Sequence, residues 1–285
     1  MGIVNQKFSS AVRIARTEGW RGIVRALERN AGVGGFQTGL DECDIVWRFF
    51  KGRPSEHLMV DIGAHIGGSL RPFVRNGWQV YAFEPDRANR ARLEATFGRF
   101  KNLVIDPRAV SNEPKSGVTF YRSDQSTGIS SLSAFHDSHQ AGELVDITTL
   151  SDVIRKAGIT GIDFLKIDTE GHDLFVLQGL PWDIVKPRVV LCEFENNKTE
   201  PLGYRYEQLA GYLIDRGYRL ITSEWYPIQR YGISHRWRRF AEGQPPALVD
   251  HTGWGNILGV RDAADWAGVR AACDAAAAKE RAAGA

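Results

Sequence analysis

The stretch VDIGAHIGGSL, residues 60–70, reads in order as a buried strand, a glycine turn and the start of a helix. In an open α/β sheet that junction is where a nucleotide-like ligand sits. Outward from it, short apolar runs alternate with helical stretches. The runs HLMVDI (57–62), QVYAFE (79–84), NLVI (102–105), IDFLKI (162–167) and RVVLCEF (188–194) are continuous in polarity, as strands buried on both faces are. Helices are expected at 68–76, 87–98 and 204–216, the last closed by Gly217. Alternating βαβ units imply a parallel sheet with right-handed crossovers, and YRLITS (218–223) and GNILGVRD (255–262) can finish it. The expectation is one α/β domain over residues 41–262, doubly wound and mostly parallel. A basic helical arm at 1–40 precedes it, and an Ala-rich helix and tail at 263–285 follow.

In the arm, Trp20, Ile23, Val24 and Leu27 form one apolar stripe, with Arg13, Arg16, Arg21, Arg25 and Arg29 around it. Packing on the domain is the first reading of this helix; peripheral contact with an anionic membrane is the second. The 285 residues carry a net charge of +2, too small to imply a nucleic-acid partner by itself. Cys43, Cys192 and Cys273 are odd in number and widely spaced, so neither a disulfide framework nor a zinc site is expected. No apolar run is long enough for a membrane span. A signal-peptide core is missing, and Gln6 stands where a myristoylation signal wants Ser or Thr. The chain reads as cytoplasmic, with the inner membrane face as the alternative address of the arm.

The glycine turn discriminates among nucleotides. Glu84 ends the second strand 21 positions after Gly63, where a carboxylate suits ribose hydroxyls. A dinucleotide site wants glycine at the position held by His65, so NAD is disfavoured. No phosphate-loop motif is present, which excludes ATP held in that way. S-adenosylmethionine has ribose and adenine but no phosphate, and Asp61 can accept from its ammonium. Gly67 completes the turn. For the adenine, the one acid near the end of the third strand is Asp106.

Four elements occur in order: VDIGAHIGGSL, VYAFEPDRAN (80–89), STGISSLS (126–133) and DFLKIDTEGHDLFVLQGL (163–180). Together they resemble the FkbM family of S-adenosylmethionine-dependent methyltransferases over roughly residues 57–260, the last element being the most specific. The resemblance implies a seven-stranded class I methyltransferase fold and O-methylation of hydroxyls, often on sugars or polyketide products. The chain departs from the family pattern at His65, where Asn is usual, and at Asp173, where Glu is commoner.

Ligands of such sheets lie beyond the carboxyl ends of the strands, so Asp168 should face the same crevice as Asp61 and Glu84. Methyl transfer needs the acceptor oxygen aligned with the methyl group and a base for its proton. Asp168, Glu170, His172 and Glu193 are the candidates, and the sequence does not choose among them. The same carboxylates with His172 can alternatively hold Mg²⁺ and lower the hydroxyl pKa that way. Glu170 and Asp173 also suit the N-terminal turn of a short helix at 171–179. The absence of a Pro-Pro-aromatic motif after KIDTEGH favours oxygen over nitrogen as the acceptor.

The polar stretch STGISSLSAFHDSHQ (126–140) is either a loop or part of a lid over the acceptor. In SEWYPIQRYGISHRWRRF (223–240), Trp225, Tyr226, Tyr231, Trp237 and Phe240 interleave with Arg230, His235, Arg236, Arg238 and Arg239. Such a surface suits an acidic or lipid-linked glycan, or RNA, or is the basic rim of an aromatic core. Near-neutral charge argues against RNA. The expected partner is a hydroxyl-bearing small molecule or glycan; an RNA methyltransferase and a non-catalytic scaffold on the same fold are the competing readings.

Overall fold

The computed structural model describes residues 39–53, 56–123, 131–133, 139–229 and 235–284. The expected N-terminal basic helix, most of the stretch at 126–140, Arg230 and Tyr231 lie outside them. In chain order the strands are β1 (Leu58–Ile62), β2 (Gln79–Phe83), β3 (Leu103–Asp106), β4 (Ala109–Val110), β5 (Lys115–Ser123), β6 (His139–Thr148), β7 (Phe164–Ile167), β8 (Val189–Glu195), β9 (Arg219–Trp225), β10 (Trp237–Gly243) and β11 (Trp254–Val260). The main sheet has eight of them in the order β10-β9-β11-β8-β7-β1-β2-β3; β4, β6 and β5 make a separate three-stranded sheet. From β3 to β8 the strands are mutually parallel. β11 runs antiparallel between β8 and β9, and β10 antiparallel along the outer side of β9. Seven of the eight strands coincide with the seven apolar runs. The eighth, β10, lies in the arginine-rich segment and lacks such a run, so the sheet is one strand wider than expected.

The helices are α1 (Glu42–Phe50), α2 (Arg71–Arg75), α3 (Arg87–Phe97), α4 (Leu150–Ala157), α5 (Asp173–Gln178), α6 (Asn196–Thr199), α7 (Tyr206–Ile214) and α8 (Ala263–Gly284). Successive strand residues point to opposite faces, and both faces are covered. Met59, Val80, Phe164 and Leu191 pack on one side against Phe50 of α1, Phe73 of α2, Phe97 of α3 and Val269 of α8. Val60, Ile62, Leu165 and Ile167 pack on the other against Ile154 of α4, Leu177 of α5 and Leu213 of α7. Each such side chain contributes about 1.5–3 kcal/mol by its burial, which is why the strands read as unbroken apolar runs.

Local signals set the helix limits. Asp41 caps α1 and Asp86 caps α3, each accepting from two backbone N–H groups. Thr149 opens α4 and Gly158, at φ 65°, closes it. Helix α2 is shorter than the expected 68–76, with proline in its first turn. The expected C-terminal tail is helical as far as Gly284, and Val269, Cys273 and Ala277 are buried in the core. Helix α8 is therefore part of the packed domain.

Candidate active site

At the carboxyl ends of β1, β2 and β7 lies a cavity partly open to solvent, the position at which sheets of this kind hold ligands. Its first wall is the glycine turn. Gly63 has φ 76°, and a Cβ there would come within 1.9 Å of the Asp168 carbonyl oxygen. The ends of β1 and β7 thus approach so closely that no side chain fits between them. The Asp168 N–H closes the approach by donating to the Ile62 carbonyl at 3.0 Å. His65 is also left-handed, at φ 50°, and its N–H donates to Glu84 Oε2 at 2.7 Å. Glu84 Oε1 accepts from the Asp86 N–H at 2.9 Å. Glu84 therefore ties the glycine turn to the start of α3, and burial raises its pKa to about 7.

Gly63, His65, Glu84, Asp168 and Glu170 all line this cavity. Asp168 is the most open of the acids, its side chain 42% exposed. Glu170 is buried, in the left-handed region at φ 56°, a conformation that a non-glycine residue adopts only under constraint. The Tyr204 hydroxyl supplies part of that constraint, donating to the neighbouring Gly171 carbonyl at 2.6 Å. Desolvation, partly offset by the Lys198 ammonium, raises the Glu170 pKa to about 7.

Four expected site residues lie outside the lining. Asp61 is fully buried, with Oδ2 accepting from Ser69 Oγ at 2.5 Å and Oδ1 3.2 Å from Lys166 Nζ. Gly67 packs under α3; a Cβ there would meet Leu93 and Phe97 at 2.7 Å, so it serves helix packing. His172 sits against Phe175 with its Nδ1 buried and without a hydrogen-bond partner among the described residues. Burial lowers its pKa to about 4, which makes it a weaker base than an ordinary imidazole. Glu193 is drawn to Lys198, and burial pushes its pKa up. Asp106 is clamped by the Arg108 guanidinium at 2.6 Å, and it is Arg108 that reaches the cavity. Asp173 opens α5, and its carboxylate accepts from Thr169 Oγ1 at 2.7 Å and the Glu193 N–H at 2.8 Å, tying the KIDTEG turn to β8.

Two buried lysines were not anticipated. Lys166 Nζ donates to the Gly63 carbonyl at 2.7 Å and lies 3.2 Å from Asp61 and 3.4 Å from Asp168. Lys198, its side chain 2% exposed, contacts Glu170 and lies 3.3 Å from Glu193 and 2.9 Å from Glu195. The Asp168, Glu170 and Glu193 oxygens come within 4.8 Å of one another, a spacing that a dication can bridge. Lys198 already engages two of the three, so this donor set does not fit Mg²⁺ while that ammonium holds its place. One signal for Lys166 was present in the sequence: a lysine inside a strand buried on both faces needs a counter-charge.

The aromatic, arginine-rich segment is partly core. Trp225 and Trp237 are buried, and Arg238 and Arg239 pair with the fully buried Glu224 at 3.2 and 2.9 Å. Tyr226 stays at the surface between the guanidinium groups of Arg236 and Arg238, 3.7 and 4.3 Å from its ring centre. No described helix is long and apolar enough to cross a membrane.

Residues 61–220, more than half of the chain, match the family model described as the methyltransferase FkbM domain. Methyltransferase sdnD of Sordaria araneosa is 35% identical over 105 residues, a match covering 32% of this chain and 38% of that one. The chain thus spans well under half the length of that curated relative. Among solved structures, methyltransferase FkbM from Methylobacillus flagellatus KT overlays with a TM-score of 0.42 at 17% identity, covering 75% of this chain and 47% of that one. Magnesium protoporphyrin IX methyltransferase from Synechocystis PCC 6803, solved with S-adenosylmethionine bound, overlays with a TM-score of 0.38 at 12% identity over 77% of this chain and 76% of that one. Both overlays are loose. The match over residues 61–220 makes this chain a member of the methyltransferase FkbM domain family.

Proposed function

We propose that the chain methylates a hydroxyl group, on a sugar of a glycan or glycosylated metabolite, with the cavity beside the glycine turn as the cofactor and acceptor site. The observation carrying this reading is Glu170: a cavity-lining carboxylate with a pKa of about 7, matched to the work of a general base near neutral pH. The cavity also suits the cofactor. Its apolar wall of Ile62, Phe83, Phe120 and Leu132 accommodates an adenine ring, and the Glu84 oxygens retain lone pairs for ribose hydroxyls.

S-adenosylmethionine, when bound, supplies a sulfonium methyl whose C–S bond breaks as the O–C bond to the acceptor forms. The chain's own part is alignment and proton removal. Glu170 takes the acceptor proton, and Lys198 beside it stabilises the ionised form that must be present beforehand. Because the Glu170 pKa is raised, its carboxylate predominates above about pH 7 and the reaction rate should rise through that value. Among the described residues, burial of Trp225 and Trp237 and pairing of Arg238 with Glu224 withdraw those side chains from a stacking surface for RNA.

The test is methyl transfer from methyl-labelled S-adenosylmethionine to a panel of mono- and oligosaccharides, with transfer RNA as the contrasting acceptor. The expected result is an O-methyl sugar and a loss of about 10²–10⁴-fold in Glu170→Gln. Label on RNA, label on nitrogen, or an unimpaired Glu170→Gln enzyme would defeat the proposal.

A further inference from the structure

The acid ending β1 and the carbonyl of the glycine turn form a pair of acceptors well placed for an ammonium, and a cationic side chain already occupies it. Lys166 neighbours Asp61 in the parallel ladder between β1 and β7, on the same face of the sheet. Its Nζ lies 2.7 Å from the Gly63 carbonyl oxygen, 3.2 Å from Asp61 Oδ1 and 3.4 Å from Asp168 Oδ2. The ammonium donates to the Gly63 carbonyl and stands in ion-pair contact with both carboxylates. Asp61 is fully buried, the Lys166 side chain is 8% exposed, and neither lines the cavity. A ligand cation drawn to Asp61 would compete with Lys166 for it, and taking a partner from a buried cation is unfavourable.

Asp168 differs from its neighbours. It joins the same charge row at its outer end, yet its side chain is 42% exposed and lines the cavity. The row Asp61–Lys166–Asp168 carries one net negative charge, and the oxygens that can present it to a ligand are those of Asp168. We propose that Lys166 is the resident cation of the Asp61–Gly63 acceptor pair and that Asp168 therefore takes the α-ammonium of the cofactor. Asp61 then acts as a positioning residue behind Lys166, and the proton-transfer role falls to Glu170 alone. This inference rests on S-adenosylmethionine being the ligand of the cavity.

The test compares two ligands by titration calorimetry: S-adenosylhomocysteine and 4-(adenosylthio)butanoate, which differ only in the α-amino group. A charge-assisted contact to Asp168 should make the amino ligand bind the wild-type chain about 10- to 100-fold more tightly. In Asp168→Asn the preference should fall to about threefold or less, and in Glu170→Gln it should persist. Asp168→Asn with the preference intact overturns the inference, as does a wild-type chain indifferent to the amino group. Failure of both ligands to bind the wild type overturns the cofactor assignment of the cavity, and the inference with it. A crystal structure of the wild-type chain with S-adenosylhomocysteine decides the matter without a variant. The ligand nitrogen should lie against Asp168 with Lys166 unmoved; nitrogen against Asp61 with Lys166 displaced refutes it.

Discussion

Glu170→Gln should make the folded domain more stable than wild type at alkaline pH and not at acid pH. In the folded chain the Glu170 pKa is raised from 4.5 to about 7, chiefly by desolvation. Between those values the native state holds a proton that the unfolded chain has released, so the stability of the wild type falls as pH rises through that window. The loss levels off about one unit above the folded-state value. At about 1.4 kcal/mol per pH unit, the interval amounts to about 3 kcal/mol. Glutamine resembles the protonated acid and does not titrate, so the variant escapes this loss. The advantage of the variant should therefore grow by about 3 kcal/mol between pH 4.5 and 8.5, or by about 6–12 °C in Tm for a domain of this size. Paired thermal melts across that pH range measure it directly. A Tm difference between variant and wild type that stays flat with pH would refute the burial argument and remove the physical basis for Glu170 as a base.

Three further outcomes follow from the same geometry. Gly63→Ala sets a methyl group 1.9 Å from the Asp168 carbonyl at a left-handed backbone position; it should cost more than about 3 kcal/mol and abolish S-adenosylhomocysteine binding, which urea unfolding and calorimetry check. Lys198→Met leaves Glu170, Glu193 and Glu195 without their shared cation. It should lose about 3–5 kcal/mol at pH 8, and the added substitution Glu170→Gln should recover part of it, a coupling read by a double-mutant cycle. S-adenosylhomocysteine at a hundred times its Kd should raise the stability by about 2.7 kcal/mol, or about 5–10 °C in Tm. In Glu84→Ala, which loses both turn hydrogen bonds, that shift should vanish.

The parallel half of the sheet was legible because burial on both faces leaves unbroken apolar runs, and Val60, Leu165 and Val190 could hardly lie elsewhere. Strand β10 was not, since it is a half-buried edge strand whose residues WRRFAEG form no continuous apolar run. The chemistry at the strand ends was legible in kind: a glycine that must approach a carbonyl, an acid closing β2, acids closing β7. Which acid points where was not, because that depends on contacts between residues distant in sequence. Asp61 and Asp168 look alike in the chain, yet Lys166 stands between them and leaves only one open to the cavity. His172 stood level with the acids as a candidate base, and only the structure shows its burial against Phe175, which lowers its pKa to about 4.

The extra strand at the sheet edge bears on how the domain opens and closes locally. Glu224 of β9 is fully buried, and its carboxylate accepts from Arg238 and Arg239 of β10 and from the N–H groups of Val249 and Asp250 beyond it. Peeling β10 away would take two cations from a buried anion, so this edge cannot fray independently as exposed outer strands commonly do. Its amide protons should exchange with solvent on the timescale of β9 and not on that of a free edge. The outermost strand is thereby part of the same cooperative unit as the centre of the sheet.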